Sequence, residues 1–184
     1  MTASIAKFTV DDYHQMIDAG ILGDRRVELI DGLILEMPPE GTEHTYYGET
    51  LAQKFRRLLT EERAWVRENK PITLSTSEPE PDLAVVRLPR SHYLQHHPYR
   101  EDIFLLVEVS KSTLKFDISE KKKIYALSNI SEYWVVDVEN KKLLVYRYPE
   151  TGNYRETTEL LEGEKIAPLA FRDLEMAIAE IFEP

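Results

Sequence analysis

The sequence predicts an α/β fold, a mixed sheet core flanked by helices and carrying additional antiparallel hairpins, and three observations lead there. LAVV at 83–86 and IFLLVEV at 103–109 are short, β-branched or aliphatic, and bounded by Pro or polar turn residues, as central strands are. His44 to Leu59 and Phe116 to Leu127 carry apolar residues at helical spacing. EYWVVDVENKKLLVYRYP reads as a hairpin, strands Tyr133 to Val138 and Leu143 to Tyr148 meeting at a Glu139-Asn140-Lys141 turn.

Composition narrows the class. The 184 residues fit one domain, 1–184, and with 42% hydrophobic residues they suffice for a sizeable core. The absence of cysteine excludes disulfides, thiolate zinc sites and cysteine nucleophiles. The opening MTASIAKFTVDDY lacks the apolar core of a signal peptide and no later run approaches a membrane span, so the expected location is cytoplasmic, with no membrane partner. A net charge of −10 argues against a broadly basic, phosphate-binding surface, yet Lys111, Lys115 and Lys121 to Lys123 cluster locally.

In chain order, Phe8 to Ala19 is expected to be helical: Thr9 serves as N-cap, Asp11 and Asp12 fall in the first turn, and Gly20 follows the end. RVELIDGLILEM is a hairpin about Asp31-Gly32, with strands Val27 to Ile30 and Leu33 to Met37. Glu28 faces away from Val27 and Leu29, and reads either as an exposed strand residue or as a group near a metal. The helix from His44 aligns Tyr47, Leu51, Phe55 and Leu58; His44 itself contacts a phosphate, orients a carboxylate, or is a surface cap. AWVRENKPITL gives the next strand, and Pro71, Pro79 and Pro81 hold their neighbours extended; Glu78 and Glu80, preceding Asp82, form a dense anionic approach to one strand or are solvated loop carboxylates.

LPRSHYLQHHPYREDI is an irregular connection whose His92, His96, His97, Tyr93 and Tyr99 fit a substrate-facing loop or an oligomer contact. The adjacency of His96 and His97 speaks against a zinc site. NYRETTELLEGEKIAP continues as short antiparallel segments, and LEMAIAEIF is expected to be a closing helix. Of the hairpin aromatics Tyr133, Trp134, Tyr146 and Tyr148, alternate residues belong in the core and the others are open to a second subunit.

Two carboxylates stand apart from this pattern. Asp82 opens directly onto LAVV, and Glu108 lies between Val107 and Val109; a carboxylate so placed is costly to bury unless it is paired, hydrogen-bonded or bound to a cation. Side by side at one sheet edge they present hard oxygen ligands to one divalent ion, magnesium or manganese. On the following helix Asp117, Lys121 and Tyr125 recur at four-residue steps and share a face. Lys122 and Lys123 suit a solvated run, whereas Lys121, on the Tyr125 face, is placed to point at the carboxylates.

The ordered set EPEPDL, LLVEVS-K-ST, Asp117, Lys121, Tyr125 and EYWVVD, with VELIDGLILEMPP and His44 upstream, resembles the bacterial Uma-type restriction-endonuclease family of the PD-(D/E)XK nuclease superfamily. The similarity runs from Phe8 to Tyr154. It implies a restriction-endonuclease-like core in which Asp82 matches the PD aspartate and Glu108 the acidic residue of the (D/E)XK element, both catalytic and both holding Mg2+ or Mn2+. Ser110 stands where the superfamily has lysine, so the lysine role passes to Lys121. The implied chemistry is metal-assisted hydrolysis of DNA phosphodiester bonds, with Lys121 orienting water or stabilising charge and with Glu28, His44, Asp117 and Tyr125 as accessory groups. Superfamily members often dimerise to cut both strands, which implies a homodimer. The acidic net charge and Ser110 also suit a non-catalytic nucleic-acid- or protein-binding module retaining the fold, and a hydrolase of a small phosphorylated molecule is a third reading.

Overall fold

Helix α1 (Val10–Asp18) begins where a capping box forces it to: the Thr9 hydroxyl accepts from the Asp12 N–H at 3.1 Å, and the Asp12 carboxylate accepts from the Thr9 N–H at 2.9 Å. A hairpin follows, β1 (Val27–Ile30) paired with β2 (Leu33–Glu36). Its turn residues Asp31 and Gly32 sit at φ of 46° and 75°, the left-handed region that a two-residue hairpin turn requires. Helix α2 (Thr42–Arg63) extends past the expected 44–59 at both ends.

The computed structural model describes residues 3–183, and its central feature is a six-stranded mixed sheet. In spatial order the strands are β3 (Trp65–Glu68), β4 (Leu83–Val86), β5 (Ile103–Ser110), β6 (Glu132–Asp137), β7 (Lys142–Glu150) and β8 (Asn153–Leu160). Only β5 and β6 run parallel, and a parallel pair needs a crossover connection. Residues 114–127 supply it as a helix. On one face α2 lays Leu51, Ala52, Phe55 and Leu59 against Leu83, Leu105, Val107 and Trp134. On the other the crossover helix brings Ile124, Tyr125 and Ala126 against Ala84, Leu106, Tyr133 and Val135. Cover on both faces is why LAVV and YWVV are apolar throughout instead of alternating.

Several local expectations are corrected. In AWVRENKPITL the ladder stops at Glu68, because Asn69 turns to φ 46° and Pro71 has no N–H to donate. LEMAIAEIF is not one helix: β9 (Lys165–Ile166) pairs with β10 (Met176–Ala177), and only Ala179–Phe182 is helical. The 88–101 connection contains 3-10 turns at Arg90–Leu94 and Arg100–Asp102. Tyr133, Trp134 and Tyr146 are all buried, so of the four hairpin aromatics only Tyr148 retains partial exposure toward any partner.

Phe55 anchors α2, and hence His44, to the sheet, packing 5.8 Å from the Trp134 ring. Phe55→Ala is expected to destabilise the protein by about 3–5 kcal/mol in urea unfolding. The exposed neighbour Arg57→Ala is expected to change stability by less than about 0.5 kcal/mol.

Candidate active site

Sheet register decides what meets at the end of β4 and β5. Leu83 pairs with Val107 in antiparallel register, which sets Asp82 beside Glu108. Both share parity with Ala84 and Leu106, the residues facing the crossover helix. Asp82 Oδ2 accepts from the Val109 N–H at 2.6 Å and from His44 Nε2, on the first turn of α2, at 3.0 Å. Glu108 Oε1 accepts from Lys121 Nζ at 3.0 Å and from the Tyr125 hydroxyl at 2.8 Å. Lys121 Nζ also lies 3.5 Å from Glu28 Oε2, contributed by β1. The Ser110 hydroxyl donates to Asp117 Oδ2 at 2.7 Å, so the serine ties β5 to the start of the crossover helix.

The crossover helix is irregular where it matters. Between an α turn at Leu114–Phe116 and an α segment at Lys122–Leu127, Asp117–Lys121 forms a π turn, in which the Lys122 N–H donates to the Asp117 carbonyl five residues back. With 3.6 residues per α turn, residues four apart drift around the axis, and one wider turn offsets that drift. Asp117, Lys121 and Tyr125 are accordingly all buried on the side of the helix that meets β5.

All seven residues singled out in the sequence thus belong to one neighbourhood. Glu28 is buried, not an exposed strand residue. Two acidic residues read from the sequence as an anionic approach to Asp82 or as solvated loop carboxylates prove to be structural parts of the region. Glu80 lines the cleft with Arg26, and Glu78 is 4% exposed, not solvated. The i, i+2 spacing of Glu80 to Asp82 in an extended segment was the available signal. Of the clustered lysines, Lys111 and Lys121 line the cleft, and Lys111 is paired with Glu43.

Charge in the cleft is unbalanced. Burial alone would draw the Lys121 ammonium down, but Glu108, Glu28, Asp117 and Asp82 around it outweigh burial and hold it protonated far above the usual lysine value. The same geometry seen from the acids is unfavourable: burial, only partly offset by Lys121, pushes Glu108 well up, and burial likewise raises Glu28, Glu80 and Asp117. Burial lowers His44, yet the hydrogen bond and charge of Asp82, with Glu40, prevail and keep the imidazole above its ordinary value. Tyr125, raised by burial and by Glu108, stays a donor.

A divalent cation fits this donor set. Both contacts to Asp82 fall on Oδ2 and both contacts to Glu108 fall on Oε1, leaving the second oxygen of each carboxylate without a donor among the described residues. Glu28 Oε2, beside the Lys121 ammonium, is a buried oxygen with no hydrogen-bond partner among the described residues. Among the described residues no three His, Asp or Glu groups converge into a complete ligand set. Magnesium is commonly held by one or two carboxylates and keeps several waters, a coordination that Asp82 and Glu108 would supply. The cleft volume of about 70 Å³ accommodates such an ion with a few waters.

The raised carboxyls have a pH signature. A folded state that holds protons more tightly than the unfolded chain loses stability as pH rises from the unfolded glutamate value of 4.5 through the raised folded values. Glu28→Gln removes one such penalty. The metal-free variant is expected to melt above wild type near pH 7.5 and level with it near pH 4; melting below wild type near pH 7.5 overturns the assignment.

The site can be set beside known proteins. The fold is similar to the crystal structure of a putative nuclease belonging to DUF820 from Anabaena variabilis, with a TM-score of 0.74 and 17% identity over 95% of this chain and 97% of that one. At that identity the likeness carries the fold alone. No curated protein matches the chain. A family model, Uma2, described as "Putative restriction endonuclease", matches residues 10–179. That match spans nearly the whole sequence, and the chain belongs to the Uma2 family.

Proposed function

We propose that the protein is a magnesium-dependent, or manganese-dependent, endonuclease that hydrolyses phosphodiester bonds of DNA, built as a single restriction-endonuclease-like domain. The observation that carries this reading is the pair Asp82 and Glu108 at one sheet edge, each with a free oxygen, beside a buried ammonium. Asp82 and Glu108 would hold the metal ion, which when bound supplies Lewis acidity toward the scissile phosphate and lowers the pKa of a bound water.

The remaining groups position and neutralise. His44 donates to Asp82 and fixes its free oxygen, and Tyr125 does the same for Glu108. Lys121 remains charged, so its role is electrostatic: it stabilises negative charge developing on the phosphate and does not act as a base. Asp117, held by Ser110, anchors the turn that presents Lys121. Among the described residues no helix is long and apolar enough to cross a membrane. A cytoplasmic location and a homodimer placing one cleft on each strand complete the proposal. The net charge of −10 and the incomplete protein ligand set favour one competing reading, a module that keeps the fold and binds nucleic acid or protein without cleaving.

Calorimetric titration of Mg2+ and Mn2+ into wild type and Glu108→Ala, with plasmid and single-stranded DNA cleavage followed on the same preparations, separates the two. Wild type is expected to bind metal and cleave, and Glu108→Ala and Asp82→Ala to lose both. Lys121→Ala is expected to retain metal binding while cleavage falls by about 10²–10³. Undiminished cleavage by both carboxylate variants removes the site as drawn, and a wild type that neither binds metal nor cleaves hands the fold to the binding module.

A further inference from the structure

Six carboxylates line the cleft against three basic side chains besides His44, and of those three Lys121 is buried and committed to Glu108 and Glu28. Among the described lining residues, a phosphodiester arriving from solvent can meet only the other two cations, Arg26 and Lys111, whose side chains are 38% and 54% exposed. Both are already taken. Arg26 Nη1 lies 2.7 Å from Glu40 Oε1, and Lys111 pairs with Glu43. We propose that Arg26 and Lys111 are the cleft's contacts for DNA phosphates, and that Glu40 and Glu43 hold those places until a phosphate displaces them. The proposal rests on the nuclease reading, which supplies the phosphate.

Both acids belong to the short stretch that leads from β2 into α2. Arg26 precedes β1 and Lys111 follows the end of β5, so the two pairs fasten that stretch to two different strands. Residues 37–41 form one wall of the cleft, with Pro38, Pro39 and Gly41 exposed. Among the described residues no backbone hydrogen bond holds 38–40, and Pro38 and Pro39 have no N–H to give. The polar ties of this wall are the ion pairs, with Glu40 Oε2 also 3.5 Å from His44 Nδ1.

The closed cleft, about 70 Å³, holds an ion with waters but falls below the roughly 300–1,000 Å³ of pockets that take up organic ligands. Entry of a nucleotide therefore requires a wall to move, and this exposed wall lacks a backbone ladder. Exposed ion pairs contribute little to stability, so exchanging a carboxylate for a phosphate costs little. Phosphate oxygens also match the fork of an arginine. Pairs that merely tie down a loop would account for either contact alone. They do not account for both solvent-facing cations of an acidic cleft being covered by acids from one stretch, 40–43.

The test is the binding of a labelled DNA duplex to the whole protein in metal-free buffer, read by fluorescence anisotropy between about 50 and about 200 mM salt. Lys111→Ala and Arg26→Ala are each expected to weaken binding and to lower the slope of log K against log salt by about 0.9, the loss of one phosphate contact. Glu43→Gln is expected to tighten binding about two- to fivefold, the range of an exposed ion pair, because no acid has to be displaced. That gain is expected to vanish in the Lys111→Ala background, and the gain from Glu40→Gln in the Arg26→Ala background. Glu36→Gln makes the same charge change at the exposed end of β2 and is expected to leave affinity unchanged. Gains that persist without the cation, an equal gain from Glu36→Gln, unaltered salt slopes, or a wild type that binds no DNA overturn the proposal. Cleavage in the presence of metal judges the nuclease reading separately: a protein that cleaves with unaltered slopes keeps its site and loses these phosphate contacts, and one that neither binds nor cleaves loses both.

Discussion

The contact between Lys121 and Glu108 is the constraint around which the molecule is arranged. An ammonium and a carboxylate, both buried, are tolerated only if each is paired and hydrogen-bonded, and here the two satisfy one another at 3.0 Å with Tyr125 as a further donor. The contact ties one strand of the central parallel pair to the crossover that links it to the other. β5 carries Glu108, and the crossover helix that a parallel β5–β6 pair demands carries Lys121. A topological requirement and an electrostatic one are met by the same fourteen residues, 114–127, and the π turn brings their spacing into agreement.

One ammonium does not neutralise four carboxylates, and the surplus gives the cleft its chemical character. Burial and mutual repulsion raise the acids, while Glu28 Oε2, 3.5 Å from Lys121 Nζ, is buried with no hydrogen-bond partner among the described residues. Folding alone gains nothing from such an arrangement, and concentrations of perturbed groups of this kind are typical of functional sites. The shell around the acids is ordinary by contrast. His44, the Val109 N–H, Ser110 and Tyr125 each make one hydrogen bond that holds a carboxylate in place. Ser110 is part of this support, and the positive charge beside Glu108 arrives from the crossover helix.

The 77–82 segment divides the molecule's polar features. Its alternate acidic residues point to different uses: Glu78 binds His14 of α1, whereas Glu80 and Asp82 line the cleft. Pro79 and Pro81 keep the intervening chain extended, and so hold the spacing between the two regions.

Much of this was legible in the sequence. Fully apolar runs such as LAVV and IFLLV report strands covered on both faces, and Asp82 and Glu108 were conspicuous because a charge in such a run needs a partner. The four-residue steps of Asp117, Lys121 and Tyr125 placed the lysine on the correct face. Local chemistry determined these features, since hydrophobic period, turn residues and caps act within a few positions along the chain. Long-range register did not leave a trace of that kind. Whether Glu28 and Glu78 are buried, whether His44 reaches Asp82, where β3 ends and how LEMAIAEIF divides between a ladder and a helical turn all depend on which strand lies opposite. Those outcomes are set by packing between segments far apart in sequence, and only the tertiary structure decided them.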